Sequence, residues 1–185
     1  MIVELTHSLG ALFQKSGVPH FVQMHAGEAD PEEIDRWAKN NGLVRRHQTA
    51  EMIKVEDADL VLGEGAGTGN GGVMDHYFVR QNRSFDLLLG LDGRVLQMNR
   101  GEVAVPIYYK QRNGLEIGDK VRIAAPGFDM ELRIADFVRD VQMNPSIIHS
   151  KRFVVHDDDF ARISGSIGER EYLLEFQLTD PGKLG

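Results

Sequence analysis

A segment of 45 residues, at positions 101–145, most constrains what this chain can fold into. It contains three strand-like runs, at 102–105, 120–124 and 130–136. The runs are separated by turn dipeptides that supply positive or preset φ angles, Asn113-Gly114, Gly118-Asp119 and Pro126-Gly127. The segment has no cysteine, histidine or serine. The pattern therefore predicts a β-rich scaffold or contact unit and directs attention away from an active site here.

The composition limits the class of protein. The chain has 185 residues, 42% apolar and 26% charged, which is typical of a folded soluble protein with one domain or two small lobes. A net charge of −7 argues against a nucleic-acid partner, and the one basic cluster, Arg45-Arg46-His47, is too short to line a groove. The absence of cysteine excludes disulfides, thiol catalysis and cysteine-ligated zinc.

Two helices are predicted in the first quarter of the chain. The first is an amphipathic helix with an apolar stripe formed by Ile2, Leu5, Leu9, Leu12 and Phe13. The second begins at Pro31, with Asp30 as its cap and two glutamates in its first turn. It is expected to end at a left-handed Gly42 and to face the core with Ile34, Trp37 and Ala38.

The remaining patterns predict a chain dominated by strands. Extended runs at 20–25, 44–47 and 52–62 flank the second helix and indicate a βαβ-like unit. The dipeptide Asp92-Gly93 predicts a hairpin between strands at 85–89 and 95–98. The last third is expected to contain a strand at 152–155, a short helix at 157–164 and a strand at 169–179. Together these elements predict the α+β class.

Three features resemble chemical sites, and each has a simpler interpretation. The glycine-rich segment 63–72 lacks the strand, helix and lysine of a phosphate-binding loop, so we interpret it as a flexible loop. The acidic cluster from His25 to Asp35 is explained by helix capping. The run from His156 to Asp159 lacks the spacing of a calcium loop and is also interpreted as a cap, with a cation contact left open. No catalytic, cofactor-binding or metal-binding residue is therefore predicted.

Several segments resemble the extracytoplasmic domain of FtsX-like ABC transporter permeases, which is related to the MacB-type periplasmic core domain. In that family a strand with the pattern Gly-Glu-apolar-x-x-Pro precedes a short helix and a Leu-x-x-Gly-Asp-x-Val corner. Here the strand pattern is Gly101-Glu102-Val103 with Pro106, and the corner is Leu115, Gly118-Asp119 and Val121. With the flanking segments 82–89 and 171–179, the likeness covers roughly two thirds of the chain.

The resemblance implies a two-lobed domain between the first and second membrane helices of a permease. Residues 1–62 and 146–185 would form a mixed lobe with an N-terminal stalk helix, residues 63–72 a flexible loop, and residues 73–145 an inserted β-rich lobe. Unlike the family's permeases, the chain has no apolar run of membrane-spanning length, and Met1 begins no signal peptide. It therefore reads as a soluble piece of a longer protein.

The implied function is non-catalytic and needs no cofactor. The domain would lie on the extracytoplasmic face of the bacterial cell membrane and couple the motion of the membrane helices to a substrate or partner. The implied partners are those helices, a cytoplasmic ATPase subunit, and an extracellular peptide, lipoprotein or adaptor. The alternative is a free-standing ligand-binding module or small hydrolase, for which a deep pocket lined by histidine and aspartate would be expected.

Overall fold

The computed structural model describes residues 10–65, 74–143 and 149–183. Within these residues there are four helices: α1 (10–16), α2 (Pro31–Asn40), α3 (Ile107–Asn113) and α4 (Asp157–Ser164). The nine strands are β1 (Phe21–Ala26), β2 (Val44–Val55), β3 (Leu60–Leu62), β4 (Asp75–Val79), β5 (Glu102–Pro106), β6 (Lys120–Ala125), β7 (Phe128–Val138), β8 (Ser150–Val155) and β9 (Glu169–Leu178). Short 3₁₀ turns cover Asp57–Asp59 and Pro181–Lys183.

All nine described strands belong to one mixed sheet, in the order β1-β9-β2-β4-β8-β5-β7-β6-β3. The pairs β4–β8 and β5–β7 are parallel, and the other neighbours are antiparallel. Because β1 and β2 both pair with β9, they run parallel to each other with one strand between them. The predicted α+β class is confirmed, and the predicted βαβ-like unit is β1–α2–β2 with β9 inserted into it.

The sheet curls so that its far end returns to its middle. β3 follows β2 directly, through the 3₁₀ turn Asp57–Asp59, yet it pairs with β6 at the opposite end of the strand order. Every strand from β2 to β8 contributes side chains to one apolar core, and α3 and α4 add Tyr109, Phe160 and Ile163. Each buried aliphatic or aromatic side chain in such a core stabilises the fold by roughly 1.5–3 kcal/mol relative to exposure.

A second apolar core lies on the other face of the central strands. Neighbouring residues in a strand alternate between the two cores, as Met52 and Ile53 do in β2 and Tyr77 and Phe78 do in β4. Both faces of these strands are therefore buried, which explains why β4 and β8 each end in three consecutive apolar residues, 77–79 and 153–155.

The segment that most constrained the sequence interpretation folds as predicted. Strand β5 is followed by the short helix α3, a corner at Gly118-Asp119, and the antiparallel pair β6–β7. Gly114 and Gly118 have positive φ angles of 67° and 98°, the conformation that these turns require.

The predicted hairpin around Asp92-Gly93 is only a tight reversal. Its strands are absent from the structure, which instead shows a single bridge between Leu89 and Val95. The physical reason is the side chain of Gln81, whose amide nitrogen donates to the carbonyl oxygens of Leu88 and Leu96 at 2.7 and 3.1 Å. The Leu96 N–H still donates to the Leu88 carbonyl oxygen at 3.0 Å, but the Leu88 N–H donates to Gln81 Oε1 and not to the Leu96 carbonyl oxygen. Gln81 thus replaces one of the two backbone bonds that would extend the hairpin.

The second helix confirms its start and corrects its end. Asp30 Oδ1 accepts hydrogen bonds from the backbone N–H groups of Glu32 and Glu33, as the capping prediction requires. The prediction for Gly42 is wrong, because Asn41 caps the helix in an extended conformation and Gly42 has no positive φ. The two extended runs predicted at 44–47 and 52–62 are one long strand β2, the 3₁₀ turn and β3.

Two predictions depend on residues outside the described ranges. The glycine-rich segment 63–72 is described only to position 65, and Ile2, Leu5 and Leu9 precede the described part of α1. The division into a mixed lobe and an inserted lobe stays a prediction; strands of both predicted lobes are neighbours in the single sheet. Among the described residues, none of the helices is long and apolar enough to cross a membrane.

Candidate functional site

An exposed aromatic groove lies between α2 and the edge of the sheet. It has a volume of about 230 Å³, and its lining is predominantly apolar. The residues that form this aromatic groove are Phe21, Trp37, Asn41, Leu43, Val44, Phe176, Leu178 and Asp180. They come from β1, α2, β2, β9 and the segments beside them, so the fold and not a local motif assembles the groove.

Phe176 forms the floor of the aromatic groove. Its ring centroid lies 6.0 Å from that of Phe21 and 5.8 Å from that of Trp37, which meets it edge to face. Phe176 is 8% exposed, whereas the two walls, Phe21 and Trp37, are 47% and 55% exposed. The prediction that Trp37 faces the core is therefore wrong: of the α2 residues expected to face inward, only Ala38 is buried.

A polar chain holds α2 against the strands beneath it. His47 donates from Nε2 to Asp35 Oδ1 at 2.7 Å, and its ring stacks on Phe176 at 6.5 Å. Asp35 also accepts from Lys39, and this hydrogen bond contributes most to lowering the pKa of Asp35. His47, the last residue of the Arg45-Arg46-His47 cluster, thus contacts both α2 and the floor of the groove.

The open edge of the sheet borders the groove. Strand β1 is the outermost strand and pairs with β9 on one side only, with Phe21 directly opposite Phe176. Within the part of the chain that the structure describes, no strand pairs with the other side of β1. Backbone donors and acceptors on such an edge can pair with an added strand.

A buried ionic cluster lies at the other side of β9. Arg152, in β8, donates to both oxygens of Asp140 at 2.6 and 2.7 Å and to Asp86 Oδ2 at 2.7 Å. All three residues are almost completely buried. The ion pair with Arg152 lowers the pKa of Asp140 although burial opposes it, and the two aspartates raise the pKa of Arg152.

Glu175 joins the same cluster from β9. Its side chain is fully buried and accepts from the amides of Gln142 at 2.8 Å and Gln48 at 2.5 Å. Burial, followed by the charge of Asp86, raises the pKa of Glu175 to about 8. Glu175 and Phe176 are neighbours in one strand, so the aromatic groove and the ionic cluster are attached to the same element.

Among the described histidines, only His76 is fully buried, and it contacts a tyrosine. His76 Nε2 lies 2.5 Å from the hydroxyl of Tyr109, and His76 Nδ1 lies 3.8 Å from a carboxylate oxygen of Asp57. Burial lowers the pKa of His76 to about 4, so the ring is neutral near pH 7. None of these residues lines the aromatic groove.

The two acidic runs in the sequence are used for capping and pairing. His25 Nε2 lies 3.0 Å from the carbonyl oxygen of Glu28. At α4 the cap is His156, whose Nδ1 accepts from the backbone N–H of Asp158. Asp158 also pairs with Arg100, and the buried Asp159 accepts from the backbone N–H of Gly101. Among the described residues there is no group of three acidic or histidine side chains that could hold a metal ion.

Sequence reasoning identified neither the groove nor the ionic cluster. The groove residues are scattered from Phe21 to Asp180, and each is ordinary in its own segment. The cluster left faint signals, since Asp86 and Arg152 are charged residues directly beside the apolar runs 87–89 and 153–155. A charge next to a buried run is a reason to look for a buried partner.

No protein-family model matches this chain, and a search of curated proteins finds no significant match.

Proposed function

We propose that the chain is the non-catalytic extracytoplasmic domain of a bacterial FtsX-like ABC permease. The domain passes ATP-driven motion of the permease's membrane helices to a protein partner on the outer side of the cell membrane. In this proposal the partner contacts the aromatic groove, and the domain holds no cofactor.

The observation that carries the proposal is the aromatic groove beside the open edge of β1. Exposed Trp37, Phe21 and Leu43 provide the large apolar area that dominates protein–protein contact energy once it is covered. The unpaired edge provides backbone groups that an extended peptide can bond. The two features together suit an extended protein segment that places an apolar side chain against Phe176.

The placement of β9 supports a mechanical role. Phe176 faces the groove, while the adjacent Glu175 points into the ionic cluster that reaches β2 and β8. A displacement of the groove therefore acts on three strands of the central sheet. The sequence resemblance adds the order of strand, helix and Gly-Asp corner between Gly101 and Val121.

A ligand-binding module is the second candidate function, and the apolar lining of the groove favours it. The hydrolase version of this alternative gains no support, because the groove has one carboxylate, Asp180, and no histidine in its lining. Trp37 is the only tryptophan of the chain, so its emission reports directly on the groove. A saturable blue shift with small apolar compounds favours the module, whereas the contact domain predicts no saturation.

The permease assignment is tested on the complete protein that carries this chain. We expect it to fractionate with membranes and to co-purify, in mild detergent, with an ABC-type ATPase subunit identified by mass spectrometry. The isolated chain should hydrolyse no ATP. Recovery of the complete protein in the soluble fraction without an ATPase would overturn the assignment.

A further inference from the structure

Asp86 is held in the interior in an unusual way. It is the one described non-glycine residue with a positive φ, 48°, a conformation that costs most side chains roughly 1–2 kcal/mol. Its carboxylate is fully buried, and Oδ2 accepts from Arg152 and, at 3.3 Å, from Asn82. Oδ1 accepts from no donor that the structure describes. A buried carboxylate oxygen without a donor is costly, so a donor at this position would be strongly favoured.

The charges in the cluster do not balance if every carboxyl group is ionised. Among the described residues, the cation that forms ion pairs with Asp86 and Asp140 is Arg152, and its three bonding nitrogens are used by those two residues. Among the described residues, the donors to Glu175 are neutral amides, from Gln48 in β2 and Gln142 in the turn after β7. Gln48 Nε2 also donates to the Phe85 carbonyl oxygen at 2.9 Å, which places Glu175 beside the peptide that joins Phe85 to Asp86. Three carboxylates and one guanidinium would leave two uncompensated charges in the interior, which is highly unfavourable.

Of the other cations near this site, Lys151 adds a favourable charge interaction with Asp140, so two cations face three carboxylates and one negative charge remains. Arg46, on β2, donates to Gln177 Oε1 and contacts the ring of Phe85. Lys151, on β8, donates to the carbonyl oxygens of Met143 and Ser150. A proton is therefore the remaining means of satisfying both Glu175 and the unbonded oxygen of Asp86.

We propose that Glu175 and Asp86 share one proton, and that loss of this proton separates β9 from the segment around Asp86. The carboxylic acid of Glu175 donates to Asp86 Oδ1 while its oxygens continue to accept from the two glutamine amides. This inference is independent of the proposed function. It concerns how the fold responds to the pH outside the protein.

The direction of the pH response follows from the pKa of Glu175. That pKa is raised from an ordinary 4.5 to about 8 by burial and by the charge of Asp86. The folded state therefore keeps a proton that the unfolded chain releases between about pH 4.5 and about pH 8. The contribution of this group to stability is complete below about pH 4.5 and is lost as the pH rises through about 8.

Ionisation of Glu175 acts first on the segment around Asp86. The backbone N–H groups of Asp86 and Leu87 donate to the carbonyl oxygens of Gly17 and Ser16 at 3.1 and 2.8 Å. Repulsion between two buried carboxylates pushes this segment away from β9 and breaks those bonds. Hydrogen exchange of the Asp86 and Leu87 amides with solvent therefore reports locally whether the shared proton is present.

The test compares the whole 185-residue chain with Glu175→Gln, using Glu171→Gln as the matched control on the same strand and face. Urea unfolding is followed by Trp37 emission from about pH 5 to about pH 9. In the unsubstituted chain and the control, the unfolding constant should rise up to about tenfold per pH unit between about 4.5 and about 8. In Glu175→Gln this component of the slope should be absent.

Two further measurements use the unsubstituted chain and test the proposal even if Glu175→Gln does not fold. The unsubstituted chain should show the infrared C=O band of a buried carboxylic acid near pH 7, and the band should vanish above about pH 8. The amides of Asp86 and Leu87 should lose protection over the same range. An identical pH slope in Glu175→Gln, or the absence of the band near pH 7, would overturn the proposal.

Discussion

At the scale of single residues, the structure depends on a few positions where space or charge leaves no choice. Asp86, Asp140 and Arg152 form a buried ionic group whose members would each be costly alone. Such a group adds little net stability over apolar packing, but it fixes which segments meet. Its purpose here is to fasten the segment around Asp86 and the turn at Asp140 to β8.

Gly168 and Gly101 provide a matched test of close packing. Both have a φ of 81°, so alanine carries the same backbone cost of roughly 1–2 kcal/mol at either position. A Cβ at Gly168 would lie 2.4 Å from the carbonyl oxygen of Lys54, whereas at Gly101 it would meet nothing within 4 Å. We expect Gly168→Ala to lose about 1–3 kcal/mol more than Gly101→Ala in urea unfolding. Equal losses would show that the entry into β9 is not tightly packed.

The residue scale also shows where sequence reasoning stops. The cap at Asp30 was predictable because its partners are two and three residues away. The pairing of Asp86 with Arg152 could not be predicted, because the residues are 66 positions apart and no sequence pattern near either residue identifies its partner. Hydrogen bonds between residues close in sequence can be predicted from the sequence, but the partner of a buried charge depends on the order of strands in the sheet.

At the scale of elements, β9 is the strand that connects contact to interior. Its two faces were visible as alternation, with Tyr172, Leu174 and Phe176 opposite Leu173, Glu175 and Gln177. The more polar set is the better buried one, since Leu173, Glu175 and Gln177 are all buried. Hydrophobicity alone would assign the faces the other way, and the buried amides and Arg152 are what reverse the assignment.

Two groove substitutions separate contact from folding. Leu43 is 62% exposed, so Leu43→Ser should change the free energy of unfolding by no more than about 0.5 kcal/mol. Phe176 is 8% exposed and supports three rings, so Phe176→Ala should cost about 3–5 kcal/mol. Thermal or urea unfolding of the two variants checks the contrast. A large loss in Leu43→Ser would mean that the groove is part of the core.

The hairpin predicted at Asp92-Gly93 shows that a local signal can predict a turn without predicting the strands beside it. The dipeptide correctly marks a reversal, and Gly93 has a φ of 73°. Next to it, the side chain of Gln81 replaces one backbone bond of the hairpin, because it accepts from the Leu88 N–H and donates to the Leu96 carbonyl oxygen. A long-range side-chain contact of this kind has no local signature.

At the scale of the whole molecule, one sheet carries two apolar cores on its opposite faces. Strands β2, β4, β5, β7 and β8 contribute to both cores, so neither can be lost while the other stays intact. The α+β class and most elements were predictable from local periodicity and turns. The curling of the sheet was not, because the pairing of β3 with β6 joins residues about sixty positions apart.

The shared strands predict a single unfolding transition. Emission of Trp37, which lines the groove, and far-ultraviolet circular dichroism should report the same urea midpoint. The resemblance to a two-lobed domain allows the opposite outcome, in which the β-rich insert 73–145 unfolds apart from the rest. Two resolved midpoints would show that the lobes are energetically independent despite their common sheet.

Labelling of single cysteines in intact cells tests the central claim most directly, because the chain has no cysteine of its own. The complete protein, with any cysteine outside these 185 residues replaced, would carry either Leu43→Cys, in the groove, or Ile117→Cys, a comparably exposed position outside it. With a membrane-impermeant maleimide, Ile117→Cys should react as fast in cells as in the isolated chain, whereas Leu43→Cys should react more slowly in cells only. Reaction of both only after the membrane is opened, or equally fast reaction of Leu43→Cys in both settings, would contradict an extracytoplasmic domain whose groove is covered by a partner.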